Sequence, residues 1–338
     1  MTGPTVLTVL LNWRTPEMTM RALDAARIAM RDVPGGIVVV DNDSGDGSFE
    51  ALGAHARGMD DVRVVQSGRN GGFGAGNNVG IRAGLPDGTR PDLVYVLNSD
   101  AFPAPDAIRL LRDHLAARPE AGFAGSLIHD PETDGTRGAA HLTTFRFPGI
   151  LSELEGAARF GPLSRLLRNR AVPLPTPARA GPVDWLAGAS LMMRMDVLDR
   201  IGLFDETFFL YFEETDLSLR ARRAGYEIHF VPESRVGHIG SVSTGMKDWA
   251  RVPDYWFDSR WHYFAKSHGR PYAAAATLAH AAGGALHRLR CRLTGRRPVD
   301  PAGFLRTLLR HDLRALRTPV AFEGHKVPEA PAPRTREV

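Results

Sequence analysis

The sequence contains one cysteine, Cys291, among its 338 residues. A single cysteine excludes an internal disulfide and a cysteine-rich metal site, and it is typical of proteins from a reducing compartment. The chain also lacks a long apolar run, because its most apolar stretch, residues 272–286, is interrupted by His280 and two adjacent glycines. This stretch is too short to cross a bilayer. We therefore expect no membrane-spanning helix and a cytoplasmic location.

A cleavable secretion signal is not expected either, because the first predicted strand already begins at Val6. That leaves no room for the charged and apolar regions of a signal peptide. The formal charge of the whole chain is only +4, yet arginines concentrate between residues 288 and 317. This asymmetry indicates a polyanionic neighbour, either an anionic membrane surface or a nucleic acid.

Strand-like and helix-like segments alternate along the first two thirds of the chain. The predicted strands are Val6–Asn12, Gly36–Val40, Val62–Gln66, Leu93–Leu97, Gly122–Ile128 and Glu227–Val231. This alternation is typical of an α/β fold with a mostly parallel sheet covered by helices on both faces. We assign residues 1–265 to this domain, with a proline-rich, irregular insertion at 129–182 that holds one short helix, Leu151–Phe160. Residues 266–326 are predicted to form a basic helical extension, and 327–338 a disordered tail.

Two acids, Asp41 and Asp100, directly follow predicted buried strands. The carboxyl ends of parallel strands meet at one edge of a sheet, where ligands of such folds bind. Two carboxylates in one cleft are costly unless a cation or a hydrogen-bonding ligand lies between them. Mg²⁺ or Mn²⁺ with a substrate diphosphate would meet that need. In the alternative interpretation Asp100 only caps the next helix, but Pro103 and Pro105 shift the start of that helix beyond it.

The glycine-rich run Gly68–Asn78 does not contain the spacing G-x-G-x-x-G, and it follows the third strand rather than the first. It therefore does not predict a dinucleotide site. Its glycines would let the backbone approach a phosphate or a sugar at the start of the following helix. The alternative is a tight turn with no ligand.

Three acids, Glu213, Glu214 and Asp216, fall on the predicted first turn of a helix, directly after the aromatic run 208–212. Capping and complementation of the helix dipole would account for one or two of them. A carboxylate held against apolar walls has a raised proton affinity and can act as a general base. His238 is predicted in a small-residue loop after a strand, where it is either structural or a ligand of a metal or diphosphate.

Taken together, five segments in order resemble the family 2 glycosyltransferases of the GT-A fold, within them the bacterial rhamnosyltransferase-like group that builds cell-surface polysaccharide. The segments are 38–48 (VVVDNDSGDGS), 70–78 (NGGFGAGNN), 97–100 (LNSD), 185–188 (WLAG) and 209–220 (FLYFEETDLSLR), with His238 beyond them. The resemblance covers about Val6 to Trp261. It implies inverting transfer of a sugar from a nucleotide diphosphate to an acceptor hydroxyl.

The resemblance also assigns roles to individual positions. The residues it implies for the nucleotide sugar are Asn12, Arg14, Asp41, Asn70, Gly74, Asn78, Asn98 and Asp100, and those for the acceptor side are Trp185 and Gly188. Asp100 matches the last acid of the family's D-x-D motif, which binds Mg²⁺ or Mn²⁺ on the diphosphate. Asn98 occupies the first position, so one charged ligand is missing and His238 is the candidate replacement. Glu214 matches the catalytic base, with Glu213 and Asp216 as alternatives.

Donor, acceptor and reaction class have alternatives at this stage. The subgroup favours dTDP-rhamnose as donor over a UDP-sugar, and a cell-surface glycan or lipid-linked acceptor. A sugar-phosphate nucleotidyltransferase would ordinarily carry a glycine-rich basic loop after the first strand, and residues 12–16 contain no glycine. A non-enzymatic basic scaffold is supported only by the C-terminal arginines, which equally predict peripheral attachment of an enzyme to an anionic membrane. We expect no nucleic-acid partner. The aromatic residues between 249 and 264 predict the chain's own core or a subunit contact, which leaves the oligomeric state open.

Overall fold

The computed structural model describes residues 3–131, 138–240 and 250–317. The predicted disordered tail, the end of the predicted Gly237–Gly245 loop and Trp249 of the aromatic cluster lie outside the described residues.

A mixed sheet of nine strands forms the centre of the described chain, in the order β3-β2-β1-β4-β10-β6-β11-β5 with β8 also pairing with β11. A second, two-stranded sheet is made by β7 and β9. The strands are β1 (Val6–Asn12), β2 (Gly35–Asp41), β3 (Val62–Gln66), β4 (Leu93–Asn98), β5 (Ala101–Pro103), β6 (Ala121–His129), β7 (Thr144–Phe145), β8 (Gly181–Val183), β9 (Trp185–Leu186), β10 (Ser190–Arg194) and β11 (Glu227–His238). Because β10 is antiparallel to both β4 and β6, the strands β1, β2, β3, β4, β6 and β11 all run in one direction. The predicted mostly parallel α/β sheet is confirmed.

Helices cover both faces of the central sheet. They are α1 (Pro16–Ala29), α2 (Ser48–His55), α3 (Gly72–Ala83), α4 (Ala107–Ala117), α5 (Ile150–Ala158), α6 (Gly161–Leu166), α7 (Met195–Ile201), α8 (Glu213–Arg223), α9 (Asp254–His268), α10 (Arg270–Leu293) and α11 (Phe304–Ala315). Side chains of β1 alternate between the two layers: Val6 and Leu10 join the core with α1 and α4, whereas Leu7 and Val9 join the core with α3, α7 and α8. A strand buried on both faces explains the continuous apolar run of β1.

The register of the parallel strands brings the predicted polar positions to one edge. Asn12 at the end of β1 pairs with Asp41 at the end of β2, and Leu11 pairs with Asn98 at the end of β4. Asp100 follows two residues later. The carboxyl ends of β1, β2 and β4 therefore lie side by side, at the position where open α/β sheets bind ligands.

Two segments contain more helix or strand in the structure than the sequence predicted. Residues 129–182 were expected to hold one short helix, but they form α5, α6, β7 and most of β8. The partner that stabilises α5 is α10, whose Gly283 lies directly against the backbone of Leu154. A contact across so many residues leaves no local sequence signal. Between β2 and β3, where no helix was predicted, the structure contains α2, which begins after Gly47 at a φ of 86°.

Two further expectations about the edge of the sheet are corrected. The glycine-rich run was predicted as a loop, but α3 begins within it at Gly72. Gly76 and Gly80 lie against the side chains of Leu11 and Val9, so these glycines allow α3 to pack closely on the sheet. His238 was predicted in a loop, but it is the last residue of β11, which continues past a bulge near Val231 and pairs with β5.

The C-terminal helices contact the rest of the chain through α9, which packs on α8, and through α10, which packs on α5. The aromatic side chains of α9 that are buried within the chain are Tyr255, Phe257, Trp261, Tyr263 and Phe264. Of the two interpretations of this cluster, the chain's own core accounts for these five side chains. Among the described residues, no helix is both long enough and apolar enough to cross a membrane.

Candidate active site

Asp41 is held in a buried corner by hydrogen bonds from two neighbouring side chains. Asn12 Nδ2 donates to Asp41 Oδ1 over 2.8 Å, and Ser44 Oγ donates to the same oxygen over 2.6 Å. Thr19 Oγ1 in turn donates to Asn12 Oδ1 over 2.7 Å. Asn12 is fully buried. It therefore orients Asp41 instead of presenting its amide to a ligand, and Ser44 is a member of the site that the sequence analysis missed.

Arg14 lies at the rim of this corner. Its backbone N–H donates to Ser44 Oγ over 3.0 Å, and its Nε donates to the Ser44 carbonyl over 3.1 Å. The residue has a φ of 55°, and its exposed guanidinium lies over the ring of Trp13. Beside a buried carboxylate and a solvent-exposed edge, Arg14 is placed to meet an anion that enters the crevice.

The second acidic position joins Asp100, His238 and Asn98. His238 Nε2 lies 3.1 Å from Asp100 Oδ1 and 3.3 Å from Asn98 Nδ2. The backbone N–H of Gly240 donates to Asp100 Oδ2 over 3.0 Å. Burial alone would raise the pKa of Asp100, but the hydrogen bond and charge of His238 bring its pKa below the ordinary value. Asp100 is therefore an ionised carboxylate with an imidazole beside it.

Asp100 and His238 are the side chains at this edge that could hold a divalent cation. In the described residues no group of three or more histidine, cysteine, aspartate or glutamate side chains is arranged to hold a metal ion. One carboxylate and one imidazole suit a cation whose remaining ligands are phosphate oxygens and water. They do not suit a cage made only of protein ligands.

The remaining predicted donor residues lie on or next to α3. Asn70 Oδ1 accepts hydrogen bonds from the Gly72 N–H, over 3.1 Å, and from Asn42 Nδ2, over 2.9 Å. Gly74 lies close to Phe204 and Glu213. Asn78 is fully buried, and its side chain bonds both backbone groups of Phe204, with distances of 2.9 and 3.1 Å. Gly74 and Asn78 therefore join α3 to the chain before α8. Asn78 was predicted to face the donor crevice, but its side chain is turned towards Phe204 instead.

Gly72 fixes the approach of α3 to the aromatic run, and its replacement tests that contact. Its φ is 87°, and a Cβ atom there would be only 1.9 Å from the carbonyl oxygen of Phe209. We expect Gly72→Ala to lower the free energy of unfolding by about 2–4 kcal/mol, because both the backbone conformation and the contact exclude a side chain. Gly58→Ala, at a φ of 80° with open space around it, is the matched control and should cost only about 1 kcal/mol. If urea unfolding gave the same loss of unfolding free energy for Gly72→Ala and Gly58→Ala, the close contact between Gly72 and Phe209 would be contradicted.

Glu213 and Glu214 begin α8 after two residues with positive φ, Tyr211 at 71° and Phe212 at 70°. Within the described residues, Oε2 of each glutamate is buried without a hydrogen-bond partner. Burial raises the pKa of Glu214 to about 7, with backbone hydrogen bonds, one of them from Gly188, acting against the rise. Burial and the neighbouring charge of Glu214 raise the pKa of Glu213 well above its ordinary value. Glu213 is 3% exposed and Glu214 is half-buried, so Glu214 is the more accessible of the two.

Asp216, the third acid of this turn, forms ion pairs with two basic side chains. Lys266 Nζ and Arg220 Nε lie 2.9 and 2.8 Å from Asp216 Oδ2. Lys266 also bonds Asp205 Oδ2, over 2.8 Å. A carboxylate oxygen that already bonds two cations is not free to contact a substrate. Asp216 ties α8 to α9, and Lys266, 50 residues away, gave no signal in the sequence.

A short segment, Gly188–Ala189, connects the two acidic positions. The Ala189 carbonyl accepts from the Asn98 N–H over 3.1 Å. On its other side, the Cβ position of Gly188 is 3.9 Å from Glu214 Cβ and 3.3 Å from the ring of Phe73. Glu214 and the Asn98–Asp100 turn therefore flank the same two residues, and Gly188 leaves space between them.

Trp185 lies beside this segment on β9. Its indole N–H donates to the Arg146 carbonyl over 2.9 Å, and its ring stacks on Phe145 at a centroid distance of 4.2 Å. The strand β9 packs against α8. Through β9, the stacked pair Phe145–Trp185 therefore lies next to α8, the helix that begins with Glu213 and Glu214.

Comparison with known proteins identifies the family. The sequence profile described as "Glycosyltransferase like family 2" matches residues 4–252. The N-acetylglucosaminyl-diphospho-decaprenol L-rhamnosyltransferase of Mycobacterium tuberculosis strain H37Rv is 31% identical over 220 residues, which are 63% of this chain and 69% of that protein. Rhamnosyltransferase WbbL of Escherichia coli K12 is 26% identical over 170 residues, 49% of this chain and 60% of the relative.

Solved structures share the fold at low sequence identity. A mannosyltransferase from Pyrobaculum calidifontis, PcManGT, solved with GDP-Man and Mn²⁺, superposes with a TM-score of 0.51 at 16% identity, covering 94% of this chain and 88% of that one. GalNAc-T7, solved with UDP, GalNAc and Mn²⁺, gives 0.55 at 15% identity, with 86% and 57% covered. These are glycosyltransferases of the GT-A fold, as the sequence predicted. The chain is a member of glycosyltransferase family 2, with bacterial rhamnosyltransferases among its relatives.

Proposed function

We propose that this chain catalyses the inverting transfer of a sugar from a nucleoside diphosphate donor to a hydroxyl group of a lipid-linked or cell-surface glycan. The observation that carries the proposal is that Glu214 and the backbone of Asn98, two residues before Asp100, both contact the segment Gly188–Ala189. We infer that the base and the cation-binding carboxylate Asp100 face one crevice, as a single displacement requires. No second nucleophilic carboxylate is needed.

Glu214 is the proposed general base. With a pKa of about 7, its carboxylate can accept the proton of the acceptor hydroxyl near neutral pH, while the hydroxyl oxygen forms the new bond to the anomeric carbon. The bond from that carbon to the diphosphate oxygen breaks, and the nucleoside diphosphate leaves. Glu213 lies deeper, and its raised pKa favours its protonated form, which adds no negative charge beside Glu214. Asp216 serves as the anchor of α8.

The departing diphosphate must be stabilised by positive charge. Two sets of residues at the sheet edge are placed to hold or supply that charge. Asp100 and His238 are proposed to hold Mg²⁺ or Mn²⁺, and Arg14 lies at the rim near Asp41. A divalent cation supplies Lewis-acid stabilisation of the leaving phosphate oxygens when bound. Asn98 in place of a second carboxylate lowers the negative charge of the site, so diphosphate oxygens are expected to complete the ligand set.

The relatives guide the choice of substrates. The Mycobacterium tuberculosis relative is named for rhamnosyl transfer to a diphospho-decaprenol lipid, and the Escherichia coli relative is named as a rhamnosyltransferase. We therefore propose rhamnose from dTDP-rhamnose as the donor sugar, with a UDP-sugar as the alternative. We also propose that the acceptor is linked to a lipid and that the transfer takes place at the inner face of the cell membrane. The nucleotidyltransferase alternative is not favoured, because it has no support from the family.

The metal position is tested by Asp100→Asn. We expect Mn²⁺ titrated in the presence of dTDP, followed by electron paramagnetic resonance, to bind at least tenfold more weakly to the variant, because a neutral amide replaces the charged ligand. Transfer activity should fall by about 10²-fold or more. Asp60→Asn, a change of the same chemistry on an exposed loop, should alter neither.

The reaction class is tested with the unchanged protein. A panel of nucleotide sugars with a lipid-linked acceptor should give a product of opposite anomeric configuration to the donor, read by NMR. Retained configuration would contradict single displacement. Unchanged Mn²⁺ binding in Asp100→Asn would remove the proposed role of Asp100. Release of pyrophosphate from a nucleoside triphosphate and a sugar phosphate would instead support the nucleotidyltransferase.

A further inference from the structure

The outer faces of α10 and α11 expose leucines at helical spacing. Leu278, Leu289 and Leu293 are 65%, 54% and 78% exposed, and Leu313 is 52% exposed. Exposed leucines are common one at a time, but intervals of three, four and eight residues place them in a stripe along each helix. The full set is Leu278, Leu286, Leu289 and Leu293 on α10, and Leu309, Leu313 and Leu316 on α11.

The two stripes point to the same side of the molecule. Both helices pack on α9, and they also pack on each other in antiparallel fashion, with Leu305 against Gly284 and Asp312 bonded to Thr277. The faces turned away from α9 therefore lie next to one another. We call this surface the leucine–arginine face, because arginines occupy the positions that flank the leucines.

Its charge has one sign. The exposed or half-buried arginines are Arg288, Arg292, Arg296, Arg297, Arg306, Arg310, Arg314 and Arg317. Residues 270–317 contain two acids, Asp300 and Asp312. Asp312 is buried against Arg260, and the carboxylate of Asp300 lies 3.9 Å from Arg159. Within residues 270–317, the leucine–arginine face thus combines apolar side chains with positive charge, and these residues contribute almost no exposed carboxylate to offset it.

We propose that the leucine–arginine face docks on an anionic phospholipid bilayer. In that position the leucines enter the boundary between headgroups and acyl chains, and the arginines contact lipid phosphates. A second copy of this chain fits poorly, because the same face would oppose arginines to arginines. A nucleic acid would pair with the arginines but would leave the leucines in water. The proposal deepens the proposed function and rests on its lipid-linked acceptor, which the docked enzyme would meet at the membrane surface.

Vesicle sedimentation of the full chain tests the docking surface. We expect the protein to bind vesicles of phosphatidylglycerol and phosphatidylcholine at low salt, to release them at high salt, and to bind pure phosphatidylcholine at least tenfold more weakly. Arg306→Gln with Arg310→Gln should weaken binding to the anionic vesicles by about tenfold or more, since each arginine contributes about fivefold. Leu289→Gln with Leu293→Gln should weaken it by about tenfold at the same charge.

Two controls match these changes at exposed positions away from the face. They are Arg57→Gln with Arg63→Gln, and Ile28→Gln, and both should bind as the unchanged protein does. Equal binding to neutral vesicles, no binding to anionic vesicles, or binding that neither double variant weakens would overturn the proposal. A dimer that Leu289→Gln with Leu293→Gln dissociates, without any vesicle binding, would assign the face to a second copy and overturn it too.

The docking proposal and the proposed function can fail separately. With a water-soluble acceptor, both double variants should transfer sugar at the rate of the unchanged protein, because none of the altered residues lies in the crevice. Absence of transfer by the unchanged protein, with vesicle binding intact, would contradict the function alone. Full transfer without vesicle binding would contradict the docking alone.

Discussion

Glu214→Gln is expected to lower kcat by about 10²- to 10⁴-fold, the contribution typical of a positioned general base. The amide has the shape of the carboxylate and cannot accept the proton of the acceptor hydroxyl. For the unchanged protein, kcat/KM should rise with pH through about 7, the raised pKa of Glu214, and level off above it, because the base works only when deprotonated. The variant should lose this pH dependence together with its activity.

Two matched changes separate catalysis from packing. Glu233→Gln, at an exposed position, should leave kcat unchanged. Glu213→Gln should lower kcat less than about tenfold, because burial and the charge of Glu214 raise the pKa of Glu213 and an amide resembles the protonated acid that this shift favours. If Glu213→Gln abolishes activity while Glu214→Gln retains it, the two roles are reversed.

Glu214→Gln should also be more stable than the unchanged protein at alkaline pH. The pKa of Glu214 rises from an ordinary 4.5 to about 7 in the fold, so the folded state binds the proton more tightly than the unfolded chain does. The cost of ionising Glu214 is absent below about pH 4.5 and complete above pH 7. Glu214→Gln should therefore raise the free energy of unfolding by about 1–2 kcal/mol at pH 8 and leave it unchanged at pH 4. A loss of stability at pH 8 would contradict the conclusion that burial disfavours the charged form of Glu214.

The sheet and its acidic edge could be predicted from local pattern. Each buried strand is a continuous apolar run, and the side chain that ends it must lie at the shared edge, so Asp41 and Asp100 were placed correctly by strand order alone. The three acids after an aromatic run likewise indicated the first turn of α8. In each case the segment of sequence itself contains the physical cause.

The support of these side chains could not be predicted, because it comes from distant parts of the chain. Lys266 neutralises Asp216 across 50 residues, and Gly188 makes space for Glu214 from a segment between two short strands. Asn78 was assigned to the donor crevice from the motif, yet its amide is used by Phe204. A motif identifies which residues belong to the site. Only the packing of the folded chain shows which of them face the ligand and which of them support the residues that do.

Arg260 on α9 is the centre of the C-terminal support, and it should carry the largest stability effect. Its guanidinium is 1% exposed and bonds Glu153 of α5 over 2.7 Å and Asp312 of α11 over 3.1 Å. Burial opposes the charge of Glu153, but the charge of Arg260 and a hydrogen bond from His280 lower its pKa to about 2. Arg260→Met should reduce the free energy of unfolding by about 3–5 kcal/mol at pH 7, because it leaves buried carboxylates without their cation. Arg251→Met, an exposed pair with Asp254, should cost less than about 0.5 kcal/mol.

The pH dependence of that loss identifies its cause. A carboxylate whose pKa is lowered in the fold contributes stability that is present above its unfolded pKa, near 4.5, and lost as pH falls towards 2. The difference between Arg260→Met and the unchanged protein in urea unfolding should therefore shrink between pH 4.5 and 2. A constant difference would indicate lost packing alone. Because neighbouring Ser259 bonds the Leu210 carbonyl over 3.0 Å and Tyr263 packs on Phe212, a loosened α9 should also lower kcat, through the aromatic run that positions Glu214.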